Sequence, residues 1–392
     1  MATDTIRRRL SAVAVKTETT PGVDAFGGAD PALTDFVGAQ ATFELGQRPV
    51  EDPSLNGSFD AEPPIVGGLQ ATITLRLPLR GSKTAGTPPE WGKLATASRM
   101  EEVVQSIAVG APTAATAGTA NNATLAAPFA ATSDVYTGMP MVLSGNPAAA
   151  KITTLISYTA ARIATFIDTF NPVLNTATLA QIPINVLYRL TDDETLIKPV
   201  TIVGYEDGLR HKFVGGVGSP ALELTAGGIG FLTFTMRGQV VAFNEAAPLI
   251  PGWNDVTRPQ PPLWINGTSR LNRQVARISR YQWTGGVQFY DVENPEALEG
   301  YDPPQISSAA QQITMDPIVS TITAATLFGR LKSGANLPFG AILGNTLGNR
   351  IGITHPALRL TNMAAGDRGG FKADQMTLVP TVAGAGTYIT VF

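Results

Sequence analysis

Catalysis needs nucleophiles, proton carriers or metal ligands, and this sequence supplies few of them. It has two histidines, His211 and His355, and no cysteine. Without a thiol there is no disulfide, no thiolate metal site and no Cys–His pair. A Ser-His-Asp arrangement would need an imidazole beside an activated hydroxyl. Each histidine lies instead in a strand-like stretch, His211 after Arg210 and His355 before Pro356, which suits a packed or surface strand position. Carboxylates are then the residues left for a hard cation. Asp192-Asp193-Glu194 lacks the spacing of a calcium loop and reads as an acidic turn. Gly215-Gly-Val-Gly218 and Gly227-Gly-Ile-Gly230 lack the Lys-Ser/Thr of a phosphate-binding loop and read as turns between strands. No enzyme activity, cofactor or metal is expected.

Four tryptophans, Trp91, Trp253, Trp264 and Trp283, could stack on bases or sugars. They are not interleaved with basic residues. Trp91 reads instead as a packing anchor at a sheet or a subunit contact. Leu94 on the same predicted helix is a candidate for the same role, as are Leu327 and Phe328 on a second one.

Charge argues against a protein that grips nucleic acid. The net charge is −3 and only 15% of residues are charged, so no basic surplus is available to neutralise phosphates. The run Arg7-Arg8-Arg9 reads as a solvated terminus. No apolar stretch reaches the roughly 18 residues of a membrane span. The first residues lack the apolar segment of a signal peptide, so folding in the cytoplasm of the cell that makes the chain is expected, with no membrane partner.

The elements that would carry these residues are mostly strands. Gly 40 and Pro 29 are both high, which implies many turns and few long helices. Residues 37–50 alternate as a strand. In 69–80, Leu69, Ala71, Ile73, Leu75, Leu77 and Leu79 fall on one face, with Gln70, Thr72, Thr74 and Arg76 on the other. Pro88-Pro89-Glu90-Trp91 opens a short helix to about Met100. Residues 1–36 look loosely structured, an N-terminal arm that orders on contact with a neighbour. Residues 107–127 read as an Ala/Thr/Gly-rich linker. Short strands then follow at Val135-Tyr136, Met139–Leu143, Ile152–Tyr158, Ala164–Ile167 and Ile182–Leu190, a small β module. Longer strands return at 200–205, 209–214 and 230–243, and a Pro-rich connector covers 248–262. Residues 263–392 are expected to hold strands at 275–290, 311–319, 337–343, 350–361, 371–380 and 388–392, with a helix near 323–332.

The order of elements occurs twice. Strand, acidic Pro-containing loop, strand, short helix and strands describe both 37–243, once the module is removed, and 275–392. Val50-Glu-Asp-Pro-Ser-Leu-Asn-Gly57 matches Val292-Glu-Asn-Pro-Glu-Ala-Leu-Glu-Gly300, and Gln70-Ala-Thr-Ile-Thr74 matches Gln311-Gln-Ile-Thr314. Pro220-Ala-Leu-Glu-Leu-Thr225 matches Pro356-Ala-Leu-Arg-Leu-Thr361. Chance explains any one match; three in the same order favour an internal duplication. Two similar units in tandem offer similar edges, and head-to-tail contacts can close a ring of three chains with pseudo-sixfold symmetry.

Several segments resemble phage tail tube proteins. They are Val13-Ala-Val-Lys-Thr-Glu-Thr-Thr-Pro-Gly-Val-Asp24, the strand–turn–helix Leu75-Arg-Leu-Pro-Leu-Arg-Gly-Ser-Lys-Thr-Ala-Gly-Thr-Pro-Pro-Glu-Trp-Gly-Lys-Leu94, Asp207-Gly-Leu-Arg-His-Lys-Phe213, 215–238 and the ending from Leu378 to Phe392. The likeness covers most of the chain outside 108–198. It implies a mainly β fold of two tandem β-sandwich or barrel domains, each with a flanking helix. Residues 1–36 are then an arm, 37–107 with 199–247 the first domain, 108–198 an inserted β module, 248–262 a connector and 263–392 the second domain. The module resembles a small β unit recurrent in phage structural proteins and belongs outside an open channel.

The resemblance further implies a virion tail subunit of the long, non-contractile type, stacked in rings through which DNA passes without specific binding. Its partner is itself, as a homotrimer or alternatively a hexamer, with tail terminator, tape measure and distal tail proteins. Strands near 37–52, 69–80, 275–292 and 311–319 would line the bore. Glu44, Glu51, Asp52, Asp291 and Glu293 are candidate lumen acids, and each equally suits an exposed strand or loop carboxylate. A capsid-decorating or tail-tip protein shares this composition, and a glycan-binding adhesin acting through 123–190 is a further alternative.

Overall fold

The computed structural model describes residues 11–52, 54, 57, 60, 63–145, 151–247, 252–254, 256–381 and 386–392. The chain is mainly β, with a large curled sheet of 17 strands and a separate sheet of 7. Alternation decides which side of each strand is buried. In Ile65–Pro78, Ile73, Leu75 and Leu77 are fully buried, while Gln70, Thr72 and Thr74 are half-buried and Arg76 is exposed.

The large sheet contains the same strand order twice. One run of hydrogen-bonded neighbours is Gln40–Val50, Ile65–Pro78, Phe231–Ala246, Leu209–Thr225, Val200–Glu206 and Ser11–Thr17. The other is Arg277–Thr284, Gln312–Ile318, Phe371–Pro380, Ile351–Arg368, Leu337–Leu343 and Thr268–Leu271. Numbered along the chain, both runs read second, third, sixth, fifth, fourth, first. In each, a helix follows the third strand: α1 (Gly92–Ala97) and α2 (Thr321–Ser333). α2 is capped by Ser320, whose hydroxyl accepts from Thr323 N, and ends at Gly334 in the left-handed region.

The two runs are fused through one strand. Leu209–Thr225 pairs with Val200–Glu206 along its first half, and its last five residues pair with Arg280–Thr284. Eight strands therefore lie side by side: 40–50, 65–78, 231–246, 209–225, 277–284, 312–318, 371–380 and 351–368. One hydrophobic core runs beneath them, from Ile73 and Phe234 through Trp283 to Phe339 and Leu378.

The module leaves the sheet on a stalk of two paired strands, Met100–Gln105 and Asn185–Leu190, the second of which also pairs with Tyr388–Val391. Its seven short strands enclose a core of their own around Phe129, Tyr158 and Phe166. It is fastened to the second run as well. The buried Asp168 carboxylate accepts from Arg270 at 2.9 Å and Thr153 at 2.8 Å, and meets Lys151 at 2.8 Å.

Several sequence expectations need correction. Residues 11–17 are not a loose arm but a strand with Val13 and Val15 buried in the core. The segment after it is held by the buried Glu18, which accepts from Gly22 N, Thr201 Oγ1 and Gly215 N, each at 2.8 Å. The supposed linker 107–127 contributes the strands Val109–Ala114, Ala117–Gly118 and Asn122–Thr124 to the module. Val135 and Tyr136 lie in a turn. Gly215–Gly218 is not a turn: it lies within the Leu209–Thr225 strand at a bulge, with Gly215 at φ 65°. The helix expected from Pro88 is shorter, Gly92–Ala97. Arg7, Arg8 and Arg9, the loop residues Pro53, Leu55 and Asn56, and residues 248–251 and 255 of the connector lie outside the described residues.

Candidate functional site

The feature that dominates the surface is the open side of the eight-strand sheet. Cross-strand pairing sets its side chains in rows. Thr42, Thr74, Thr235 and Ser219 form one row. Gln40, Arg76, Thr233, Ala221, Thr284 and Gln312 form another, and Glu223, Gln282, Thr314, Thr377 and Asn362 a third. Thr–Thr neighbours suit a pleated surface. The face is thus built chiefly from hydroxyls and amides. Most of its charges are engaged. Arg280 meets Glu223 at 2.9 Å, Arg368 meets Asp316 at 3.0 Å, and Arg237 meets Asp291 at 3.2 Å. The Arg76 guanidinium stacks 3.9 Å from the Phe231 ring centroid.

A second feature is the joint between the runs. Leu222 lies opposite Trp283 across it, and both are buried. Beyond the paired strands, the 291–304 loop folds onto the first run. Asp291 takes Arg48 at 2.8 Å and Gln70 Nε2 at 3.0 Å, besides Arg237. The Arg48 guanidinium also sits 3.5 Å from the Tyr301 ring centroid. Glu299 accepts from Leu69 N at 2.9 Å. These contacts fix the angle between the runs.

The five candidate acids separate into different settings. Glu44 is exposed on the open face, in register with Thr72. Glu51 and Asp52 lie past the end of the 40–50 strand, and hydrogen bonds from Ser54 hold the Asp52 carboxyl below its usual range. Asp291 is the clamp just described, its side chain only 14% exposed. Glu293 accepts from Tyr290 Oη at 2.8 Å on the exposed loop. Of the candidate anchors, Trp91, Leu94 and Leu327 are buried, and Phe328 is 59% exposed.

A family model described as phage tail tube protein matches residues 9–281. The chain belongs to the phage tail tube protein family. This family is structural and non-enzymatic, and membership implies self-assembly into a tube in the virion tail. A search of curated proteins returns no match.

The tail tube segments singled out in the sequence have a clear physical basis. Arg80 and Glu90 form an ion pair, and Trp91 Nε1 donates to Arg80 O at 2.8 Å. Glu90 also accepts from Gly38 N and Arg258 Nε, so the turn, the helix and the connector meet at one carboxylate. The intervening glycines are obligatory: a Cβ on Gly81 would sit 2.1 Å from Gly348 O, and one on Gly92 2.2 Å from Tyr188 Oη.

Neither histidine of this tail tube protein has a catalytic setting. His355 is fully buried; its Nε2 lies 2.6 Å from Tyr281 Oη and its Nδ1 3.0 Å from Gly386 O. Burial lowers its pKa to about 4 against a weaker opposing push from Gly386 O, so it stays neutral. His211 packs between Phe43 and Phe243 and is likewise lowered by burial, against an opposing pull from Glu206. Two carboxylates of the acidic turn are also engaged: Asp193 accepts from Thr195 N at 2.9 Å and Asp192 pairs with Arg99, while Glu194 is exposed.

Sequence reading missed the Glu223–Arg280, Asp316–Arg368 and Asp168–Arg270 pairs. Each joins segments distant in the chain, and no local pattern marks them. The Thr-rich open face was visible only as the polar half of one alternating strand.

Proposed function

We propose that this chain is the repeating subunit of a tail tube, three copies closing a pseudo-sixfold ring and stacked rings forming a channel for DNA. The observation that carries this reading is the strand order found twice in one polypeptide. It supports two tube units: 37–107 with 199–247, joined by the 11–17 strand, and 263–392. Residues 108–198 are then an insertion on the outside.

Perimeter arithmetic favours three copies. Eight strands per chain give twenty-four in a trimer. At roughly 4.8 Å per strand and a tilt between zero and roughly 45°, that wall is about 37–52 Å across between backbones. Side chains narrow the bore further and still leave room for a duplex. Six copies would double the width.

The open face fits such a bore. DNA moves freely past a wall that offers few unpaired cations, because phosphate pairing is what holds it. Hydroxyls and amides in rows, with Arg76 stacked and Arg237, Arg280 and Arg368 paired, meet that condition over most of the face, and Arg277 and Arg359 are its exposed cations. Glu44 is the candidate acid that would remain on the wall. Glu51 and Asp52 would lie at the rim, near Val50, Ile65 and Val66, which are 53%, 58% and 56% exposed and suit contact with the next ring.

Electron microscopy of the purified chain tests this. Tubes whose cross-section averages with threefold symmetry and six similar lobes are expected. A sixfold ring of six whole chains, or particles with no lumen, would overturn it.

A further inference from the structure

The continuous sheet ends at two unlike edges. On one side, Gln40–Gln47 pairs with Leu69–Arg76 alone. On the other, Met363–Arg368 pairs with Phe371–Met376 alone. Among the described residues no strand occupies the outer side of either segment. Both are largely exposed: Gln40, Thr42, Glu44, Ala364, Ala365 and Asp367 are all in the exposed class. An open edge presents unpaired N–H and C=O groups and is a template for another strand.

The joint inside the chain shows how these two edges fit each other. Pairing places them in equivalent positions. Phe43 lies opposite Ile73 as Trp283 lies opposite Ile313. Glu223 reaches Pro78 through Phe231, as Gly366 reaches Ile318 through Ala373. Thus 40–44 stands where Arg280–Thr284 stands, and 364–368 where Ala221–Thr225 stands.

We propose that Gln40–Glu44 of one copy pairs antiparallel with Ala364–Arg368 of a second copy, repeating between chains the joint made within each chain. In this register Phe43 faces Ala365, as Trp283 faces Leu222, and Glu44 faces Ala364. The proposal rests on the tube reading and adds to it the partner surface and the register. Its chemistry is complementary. Phe43 is only half-buried in one chain, whereas its counterpart Trp283 is fully buried. Ala364, Ala365 and Gly366 are small, so a neighbouring strand can approach and an aromatic ring can lie over them. The contact is heterologous, one surface meeting a different one, and such contacts close rings.

The chain has no cysteine, so disulfide trapping starts from a clean background. The hairpin closes through the pair Arg368–Phe371 across Gly369-Gly370. By strand alternation Ala365 then points its N–H outward, and the Ala364–Glu44 pair is of the closer, non-hydrogen-bonded kind that suits a disulfide. Chains carrying Glu44→Cys with Ala364→Cys should cross-link between copies on oxidation and run as linked multimers under denaturing conditions. Glu44→Cys with Asn362→Cys or Arg368→Cys should link far less. Equal or no linking at all three positions, in preparations that still form normal tubes, overturns the register but leaves the tube reading standing. Absence of tubes from the unmodified chain removes the reading itself.

Ala365→Pro gives an independent check. It removes an outward N–H without breaking the pairing with Phe371–Pro380. A folded subunit that fails to form tubes is expected. Normal tubes from this variant would overturn the proposal.

Discussion

Leu222 and Trp283 face each other across two adjacent strands, one from each of the two repeated strand orders, and neither is exposed. Through this pair the two halves share one core. Trp283→Ala should therefore cost about 3–5 kcal/mol, the usual range for emptying a buried aromatic site. Phe43→Ala should cost clearly less in the lone chain, because Phe43 is half-buried. Urea denaturation of both variants at a concentration that prevents assembly would check the contrast. Equal losses would show that Phe43 is already as deeply committed as Trp283.

Asp291 is expected to behave as a structural clamp. It holds Arg48 at 2.8 Å and Arg237 at 3.2 Å with little solvent access. Asp291→Ala leaves two guanidinium groups close together without their carboxylate and should destabilise by about 2–4 kcal/mol, below or within the range for broken buried pairs. Glu293→Ala, on the exposed side of the same loop, should leave the unfolding temperature unchanged. Thermal unfolding of the two variants separates them.

The stalk of the module makes its removal geometrically simple. Gln105 and Asn185 are opposite each other in an antiparallel pair, so a tight turn can replace 106–184. The shortened chain is expected to fold and to form tubes with a thinner profile in electron micrographs. Asp168→Ala in the full chain should loosen the module instead, since Arg270 and Lys151 lose their shared carboxylate. Faster amide exchange in 151–170, with the 65–78 strand unchanged, would report that.

His355 predicts a pH dependence with a definite sign. Its folded pKa is lowered to about 4 by burial, below the ordinary value near ~6.5. Between those values the unfolded chain binds a proton that the folded chain does not. Its contribution to stability is complete above pH ~6.5 and falls as pH drops towards ~4, by about 3 kcal/mol in all. His355→Gln should flatten the stability profile between pH ~7 and ~5, whatever its own cost at neutral pH. Denaturation midpoints at several pH values in that window would check this.

Much of the fold was legible because burial follows local pattern. The alternation in 69–80 located a strand that crosses the whole core, and the Arg80-Gly-Ser turn with Glu90-Trp91 located the helix packed on it. What failed locally was decided by distant partners. Ser11–Thr17 looks too short and too close to a turn to be central, yet Val200–Glu206 pairs with all of it. Gly215–Gly218 carries turn residues, but Glu18 takes the N–H that the bulge frees. The hexapeptides at 220–225 and 356–361 mark equivalent strands and lie at different levels in them. Leu222 is opposite Leu232 near a hairpin end, whereas Leu358 is opposite both Leu337 and Pro380, ten residues from its own hairpin end. Of the site residues, Asp291 looked like a free acid because Arg48 and Arg237 reach it only once the chain has folded.

The pairing of Ala221–Thr225 with Arg280–Thr284 also bears on kinetics. In a closed circle of three such molecules, every second seam forms during the folding of a single polypeptide, at a local concentration that does not depend on how many copies the cell has made. Only the alternate seams wait for diffusion. The onset of polymer growth should then rise with about the third power of protein concentration, where six separate single-unit proteins would need about the sixth.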